Sequence, residues 1–356
     1  MGDTPQTFLT TPPFDTISKV RFSPTNPQHL LVSSWDTTVR LYDIGEDTPG
    51  GRPSEQKCKF DHRAAVLACC FSDASHGFSG GLDTAVRYLD FESEKANVLG
   101  SHNDGVSSMV YASERNALIS GSWDRTLRIF DSRAQNPEQS SHETPERIYQ
   151  MDIVNNNLVV AMASRLFHIY DVRKMQTPAQ ERDSSLKYMT RSLACMTSGE
   201  GIIPSAFWTL MGLTASSGYA TASVEGRIAV EYFDPSSEAQ EKKYAFKCHR
   251  QTIGDKDHVW PVNSLAFHPV YNTFASAGSD GTVSIWDHKI KKRLRQYPKY
   301  NNPVASVAFN CDGTRLGVAT CYTWDEGEQG AKEQREIPQI WIKTVGPEVK
   351  PKDWQD

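Results

Sequence analysis

Short runs of alternating apolar and polar residues recur along the whole chain, and most of them close on an aromatic: Val20-Arg21-Phe22, Cys69-Cys70-Phe71, Met109-Val110-Tyr111, Leu265-Ala266-Phe267 and Val307-Ala308-Phe309. Alternation with a period of two marks half-buried strands. Between 12 and 14 residues after the first four of these aromatics stands an acid in a small, polar setting. Asp36 follows Ser33-Ser34-Trp35, Asp83 follows Gly80-Gly81-Leu82, Asp124 follows Gly121-Ser122-Trp123, and Asp280 follows Ala277-Gly278-Ser279. A second alternating strand then ends in a bulky residue and an aspartate, at Tyr42-Asp43, Leu89-Asp90, Phe130-Asp131 and Trp286-Asp287. The unit is strand, tight polar turn, strand.

Two weaker copies keep the frame, with Ser164 and Glu225 at the acid position. The origins 36, 83, 124, 164, 225 and 280 lie 47, 41, 40, 61 and 55 residues apart. A period near 40 to 45 residues with a Trp-Asp ending is the signature of four-stranded propeller blades. Counting 13 on from Phe309 reaches Tyr322, after which a charged insertion (323 to 336) precedes the strand-like Gln339-Ile340-Trp341-Ile342; this is a seventh repeat. Thr7-Phe8-Leu9-Thr10 is expected to add the outer strand of the last blade and close the ring, which removes exposed sheet edges. The expected fold class is all-β: a seven-bladed WD-repeat β-propeller closed by the N-terminal strand, one domain over residues 5–346 with a polar C-terminal tail at 347–356. Ile44 to Glu55, Gln135 to Glu146 and Thr197 to Ser217 read as loops on one face or its rim. The apolar part of the last is expected to fold back on its own blade.

Composition narrows the function. Hydrophobic residues at 38% supply inter-blade cores, and a net charge of -5 argues against broad attraction to nucleic acid or anionic membrane, so any anion site must be local. The 7 cysteines are scattered without a CxxC pair, which suits buried thiols in a reducing compartment and leaves no basis for zinc. With no basic-apolar leader and no membrane-spanning run, the expectation is an intracellular, soluble protein.

The recurrent acids are scaffold. His62, His102 and His258 precede Asp83, Asp124 and Asp280 by 21 or 22 residues, the spacing of an internal His–acid–Ser/Thr–Trp hydrogen-bond chain in WD repeats. No triad, phosphate loop or metal cluster stands apart from the repeats, so no catalytic residue, metal or cofactor is expected, and the chain reads as a non-enzyme. Function lies where equivalent positions differ. Two residues after the origin stand Thr38, Ala85, Thr126, Leu166, Arg227 and Thr282; only the fifth repeat has a long cation, beside Glu225. Lys247 and Arg250 follow downstream and Arg191 precedes, so the set reads as an anion-recognition surface, against pairing with Glu225 and Glu231 on a solvated rim. Just before the origin, Trp35 and Trp123 stand among smaller residues and read as contact anchors, against packing between blades.

At these blade-variable stretches the chain resembles the Bub three family of mitotic-checkpoint WD-repeat proteins. The resemblance rests on Ser33 to Asp43, Ser184-Ser185-Leu186-Lys187-Tyr188, Val224 to Ser236 and Lys243-Tyr244-Ala245-Phe246-Lys247-Cys248-His249-Arg250, and runs from about Phe14 to Lys352. It implies a monomeric propeller, nuclear and at kinetochores in mitosis, that binds the GLEBS segment of Bub/Mad-type checkpoint kinases and docks them on phosphorylated Met-Glu-Leu-Thr motifs of the kinetochore scaffold. By motif, Arg227 and Lys247 look like the phosphothreonine-contacting cations, and Arg191, Trp35 and Trp123, with Glu225, resemble the GLEBS-facing surface. No membrane or direct nucleic-acid partner is implied. Met189 stands where the family usually has Gln, and 197 to 217 is longer than its usual connection. The sister family of Rae/Gle-type messenger-RNA export propellers also binds a GLEBS segment, in a nuclear-pore protein, and Cys321-Tyr322-Thr323-Trp324 leans toward it.

Overall fold

The computed structural model describes residues 6–46, 51–197, 217–333, 337–352 and 354. Seven four-stranded antiparallel sheets form a ring. Strands are named a to d outward from the axis, because the a strands of successive blades touch one another all the way round. Blade 1 is Ile17–Phe22, His29–Ser34, Thr38–Asp43 and Glu55–Asp61. Blade 7 is Val304–Phe309, Arg315–Thr320 and Gln339–Thr344, and its fourth strand is Gln6–Phe8, with Phe8 opposite Trp341. The N-terminal strand thus closes the ring.

Alternation along each strand sends one set of side chains into the gap between neighbouring blades. Seven apolar clusters result, each shared by two adjacent blades. Blades 1 and 2 share Leu31, Val39, Val66 and Leu89, for instance, and blades 7 and 1 share Val20, Leu30, Ala319 and Ile340. Among the described residues no blade has a core of its own, so the period in the sequence is a period in shared burial.

Strand d is where the pattern is weakest. Residues 135 to 146, read from the sequence as a polar loop, contain strand d of blade 3, Glu138–Glu143, paired with Thr126–Phe130. An outermost strand packs on one side only, so Ser, Gln and Glu serve it as well as Val would. Most of the insertion at 197 to 217 (198–216) lies outside the described residues. Its flanks, Cys195 and Gly218, are at the end of blade 5 away from the b–c turn. Residues 347–352 and 354 lie back on blade 6: Val349 is buried, its carbonyl accepts from Thr273 Oγ1 at 2.7 Å, and Trp354 meets Tyr271 edge-on.

Candidate partner-binding face

Antiparallel order puts every b–c turn and every d–a connection at the same end of the ring. In blade 7 the left-handed residue of the b–c turn is Trp324 (φ 60); in the other six b–c turns the residue after the origin is left-handed: Thr37 (φ 67), Thr84 (φ 64), Arg125 (φ 65), Arg165 (φ 65), Gly226 (φ 63) and Gly281 (φ 77). Its carbonyl accepts the N–H of the residue that closes strand d, as His62 to Thr37 (2.8 Å) and Cys248 to Gly226 (2.9 Å) show. The residue before the origin donates its N–H to the d–a connection in all seven blades. These pairs are Trp35 to Thr16, Leu82 to Ala65, Trp123 to Gly105, Ala163 to Arg147, Val224 to Met189, Ser279 to Pro261 and Cys321 to Pro303. The backbone there is scaffold and its side chain is free to vary.

The acid beneath the turn is held from several sides. In blade 3, Asp124 accepts from Thr126 N–H (2.9 Å), Thr126 Oγ1 (2.7 Å) and Asn103 N–H (2.8 Å); His102 joins it (3.1 Å) to Ser120 Oγ (2.8 Å). Burial pushes the Asp124 carboxyl up, and these hydrogen bonds outweigh it and hold the group below its usual range. Blade 2 links His62 to Ser79 Oγ (2.9 Å), while Arg87 pairs with Asp83 (2.7 Å). In blade 1, Arg40 pairs with Asp36 (2.7 Å).

Blade 6 corrects the sequence reading. The histidine that meets Asp280 is His249 (2.8 Å), whose other nitrogen faces Ser276 Oγ (2.8 Å), and Ser276 also accepts from Trp286 Nε1 (2.9 Å). His258 lies exposed on an extra hairpin, Arg250–Ile253 and Lys256–Val259, inserted between strand d of blade 5 and strand a of blade 6. Spacing alone could not separate two histidines at the ends of one inserted hairpin.

At the ring's centre a second backbone device acts. Every a–b pair carries a β-bulge near the turn end, which turns one strand-a residue out of the ladder. The turned residues include Ser18, Leu67, Ser107, Arg191 and Asn263, which line a cavity of about 180 Å³ at the channel mouth, with Trp35 on its rim. Arg191 is the charged one among them. Trp123 and Met189 share an adjoining apolar notch with Arg191 and Tyr149. Trp35, Trp123 and Arg191 are therefore brought together. Trp324 was not singled out from the sequence as a site residue. The blade 7 insertion stacks it on Trp35 (6.1 Å, 17° between planes), and the neighbouring Asp325 pairs with Arg191 at 3.8 Å. An exposed Trp beside an insertion was the available signal.

Two strand spacings outward from Arg191, roughly 10 Å, strand c of blade 5 (Arg227–Tyr232) starts with Arg227, directly opposite Lys247 on strand d. Where blades 1, 3 and 6 place a threonine hydroxyl on the acid, blade 5 places an ion pair, Arg227 Nε to Glu225 Oε2 at 3.5 Å. It is incomplete: Glu225 Oε1 and Arg227 Nε lack hydrogen-bond partners among the described residues. Arg250 donates to the Glu225 carbonyl at 2.6 Å, which adds a third cation to this rim. Glu231 is elsewhere, buried and accepting from Tyr219 OH at 3.0 Å. Glu225 thus neutralises part of the cluster, and Lys247 is exposed.

Among the described residues no three His, Cys, Asp or Glu side chains are grouped to hold a metal ion, and no helix is long and apolar enough to cross a membrane.

Comparison with known proteins agrees with the propeller fold. The model of the WD domain, G-beta repeat, matches residues 4–43, 93–131 and 246–287, each match ending on a repeat-closing aspartate. Mitotic checkpoint protein BUB3.1 of Arabidopsis thaliana is 46% identical over 97% of this chain and 94% of its own length. Mitotic checkpoint protein bub3 of Dictyostelium discoideum is 42% identical over 90% of each. The Poly(A)+ RNA export protein of Schizosaccharomyces pombe is 34% identical over 89% of this chain and 84% of its own. The crystal structure of RRP9 WD40 repeats superposes with a TM-score of 0.71 at 13% identity, over 96% of this chain and 97% of that one, and shares the fold alone.

Proposed function

The chain belongs to the family of Bub3 mitotic checkpoint proteins, and on that premise we propose that it is a non-catalytic adaptor of the spindle assembly checkpoint. It holds the GLEBS segment of Bub/Mad-type kinases against Trp35, Trp123, Arg191 and Glu225, and reads phosphorylated Met-Glu-Leu-Thr motifs at kinetochores with Arg227 and Lys247. Nuclear residence and a monomeric propeller within a hetero-complex belong to the same reading.

The observation that carries it is the register pair Arg227 and Lys247. Like charges opposite one another on a ladder destabilise the pair, and Glu225 offsets only one of them, at 3.5 Å. A doubly charged phosphate between them removes the repulsion and adds charge-assisted hydrogen bonds. Direct binding of a Met-Glu-Leu-Thr peptide, with and without threonine phosphate and with a GLEBS peptide present, tests the reading. Phosphorylation should tighten binding, and Arg227→Ala should remove about 1.5 to 3 kcal/mol, or roughly 10- to 100-fold. Equal affinity of the two peptides refutes phosphate reading.

A second reading, messenger-RNA export with a nuclear-pore GLEBS segment, is favoured by exposed Trp324 and by the export-protein relative. Tight, steeply salt-dependent binding of single-stranded RNA would select it.

A further inference from the structure

Beneath the mouth of the channel the inner wall is uniform in most blades. Just after the bulge, Ser108, Ser192, Ser264 and Ser306 each accept a backbone N–H from the neighbouring blade, at 2.9 to 3.1 Å. Blade 1 has Lys19 at this position, and two residues further down it has Arg21, where blades 5 to 7 have Ala194, Ala266 and Ala308. A lysine cannot accept the N–H that the serines take, so Lys19 does not fill the framework role. Both cations line the 180 Å³ cavity, together with Arg191, Gln150, Asn263 and Ser107. The backbones of Lys19 and Arg21 are paired in the ladder with Ser33 and Leu31, but neither side chain has a hydrogen bond or ion pair among the described residues. The acids nearby offset them only in part. Asp325 pairs with Arg191 at the mouth, and Asp152, which lines the adjoining lower cavity with Arg21, accepts from Cys195 N–H at 2.7 Å and favours the charged form of Lys19, while burial pushes its own carboxyl up.

We infer that the axial channel is a binding site for a small, multiply charged oxyanion of the phosphate class, held by Lys19 and Arg21 with Arg191 at the entrance and Gln150 and Asn263 as neutral partners. Two adjacent cations on one strand, with no carboxylate in ion-pair contact in a partly desolvated cavity, repel each other until an anion bridges them. Burial, and then Arg21, hold the Lys19 amine down at about 7. A bound anion opposes the second effect and raises the amine, so binding takes up part of a proton at neutral pH. The site is distinct from the phosphate-reading rim of blade 5, since its two principal cations lie on strand a of blade 1, and it meets the proposed GLEBS surface at Arg191 and Trp35.

The test is calorimetric titration of the full chain with inorganic phosphate and with pyrophosphate, at fixed ionic strength set with chloride, in two buffers of different ionisation heat. One saturable channel site, fractional proton uptake at pH 7, and at least tenfold weaker binding in Lys19→Met are expected, with Arg173→Ala, an exposed arginine paired with Asp171 at the far end of blade 4, unchanged. Arg21→Gln serves in place of Lys19→Met should that variant fail to fold. The inference is overturned if neither anion gives saturable heat with the unmodified chain. It is equally overturned if the channel variants bind as tightly, or if Arg227→Ala abolishes binding and so places the anion at the rim.

Discussion

Asp124→Ala probes how the repeat scaffold holds the binding face. The Asp124 side chain is 5% exposed, and four hydrogen bonds converge on it from Thr126, Asn103 and His102. These do not sum, because Thr126 and Asn103 sit at the surface and can turn to water. The dominant cost is at the His102 ring, 0% exposed, whose Nδ1 loses its carboxylate partner and keeps only Thr126 Oγ1, 3.0 Å away. A hydrogen bond to a charged group contributes about 1.5 to 3 kcal/mol, and the exposed donors add about 1 more, so the expected loss is about 3 kcal/mol. With an unfolding entropy of about 2.1 cal/mol/K per residue over 356 residues, that lowers the melting temperature by about 4 °C. Blade 4 provides the control. Ser164 occupies the same position with φ 57, and its hydroxyl reaches only Glu146, at 3.2 Å and in the open. Ser164→Ala should therefore change stability by less than about 0.5 kcal/mol. Differential scanning calorimetry at one scan rate compares the two. A drop below about 1 °C for Asp124→Ala, or equal drops for both, refutes the argument that the buried histidine sets the cost. Because Trp123 precedes Asp124 on the same turn, the variant should also weaken GLEBS-peptide binding.

Acidification should destabilise the protein in two steps. Burial holds the imidazoles of His62 and His268 down at about 4; an unfolded imidazole takes its proton near 6.5, so stability falls as pH drops from 6.5 toward 4. At His268 the proton would displace the N–H groups of Val270 and Tyr271 from Nδ1. Below pH 4 the loss continues through Asp124 and Asp280, held low by their hydrogen bonds in spite of burial. A melting temperature flat between pH 7 and 5 would contradict the first step. Gly226→Ala places a Cβ 2.7 Å from the Cys248 carbonyl, at φ +63, next to Lys247; it should cost more than Gly254→Ala, where nothing lies within 4 Å, and should weaken phosphopeptide binding. Chemical denaturation of both variants decides. Trp35→Ala removes a stacked, 38%-exposed ring, so it should shift the melting temperature by less than about 2 °C while weakening GLEBS-peptide binding at least tenfold; unchanged affinity would remove Trp35 from the site.

Alternation and spacing determined much of this protein by themselves. Burial on one side of a strand is a local requirement repeated in every blade, so Val20-Arg21-Phe22 and its counterparts announce the strands, and the acids from Asp36 to Asp280 announce the turns. The same regularity exposed Arg227, because a repeated framework makes each departure from it visible. Other features were decided only when the ring closed. An inserted hairpin chose His249 over His258 for Asp280. A β-bulge, a matter of ladder register that residue types do not reveal, turned Arg191 toward the axis. The blade 7 insertion brought Trp324 onto Trp35, 289 residues away in sequence. Lys19 and Arg21 read along the chain as ordinary polar positions of an alternating strand. They face a closed channel because seven blades meet there, and the other walls of that channel come from strands dispersed across the whole chain.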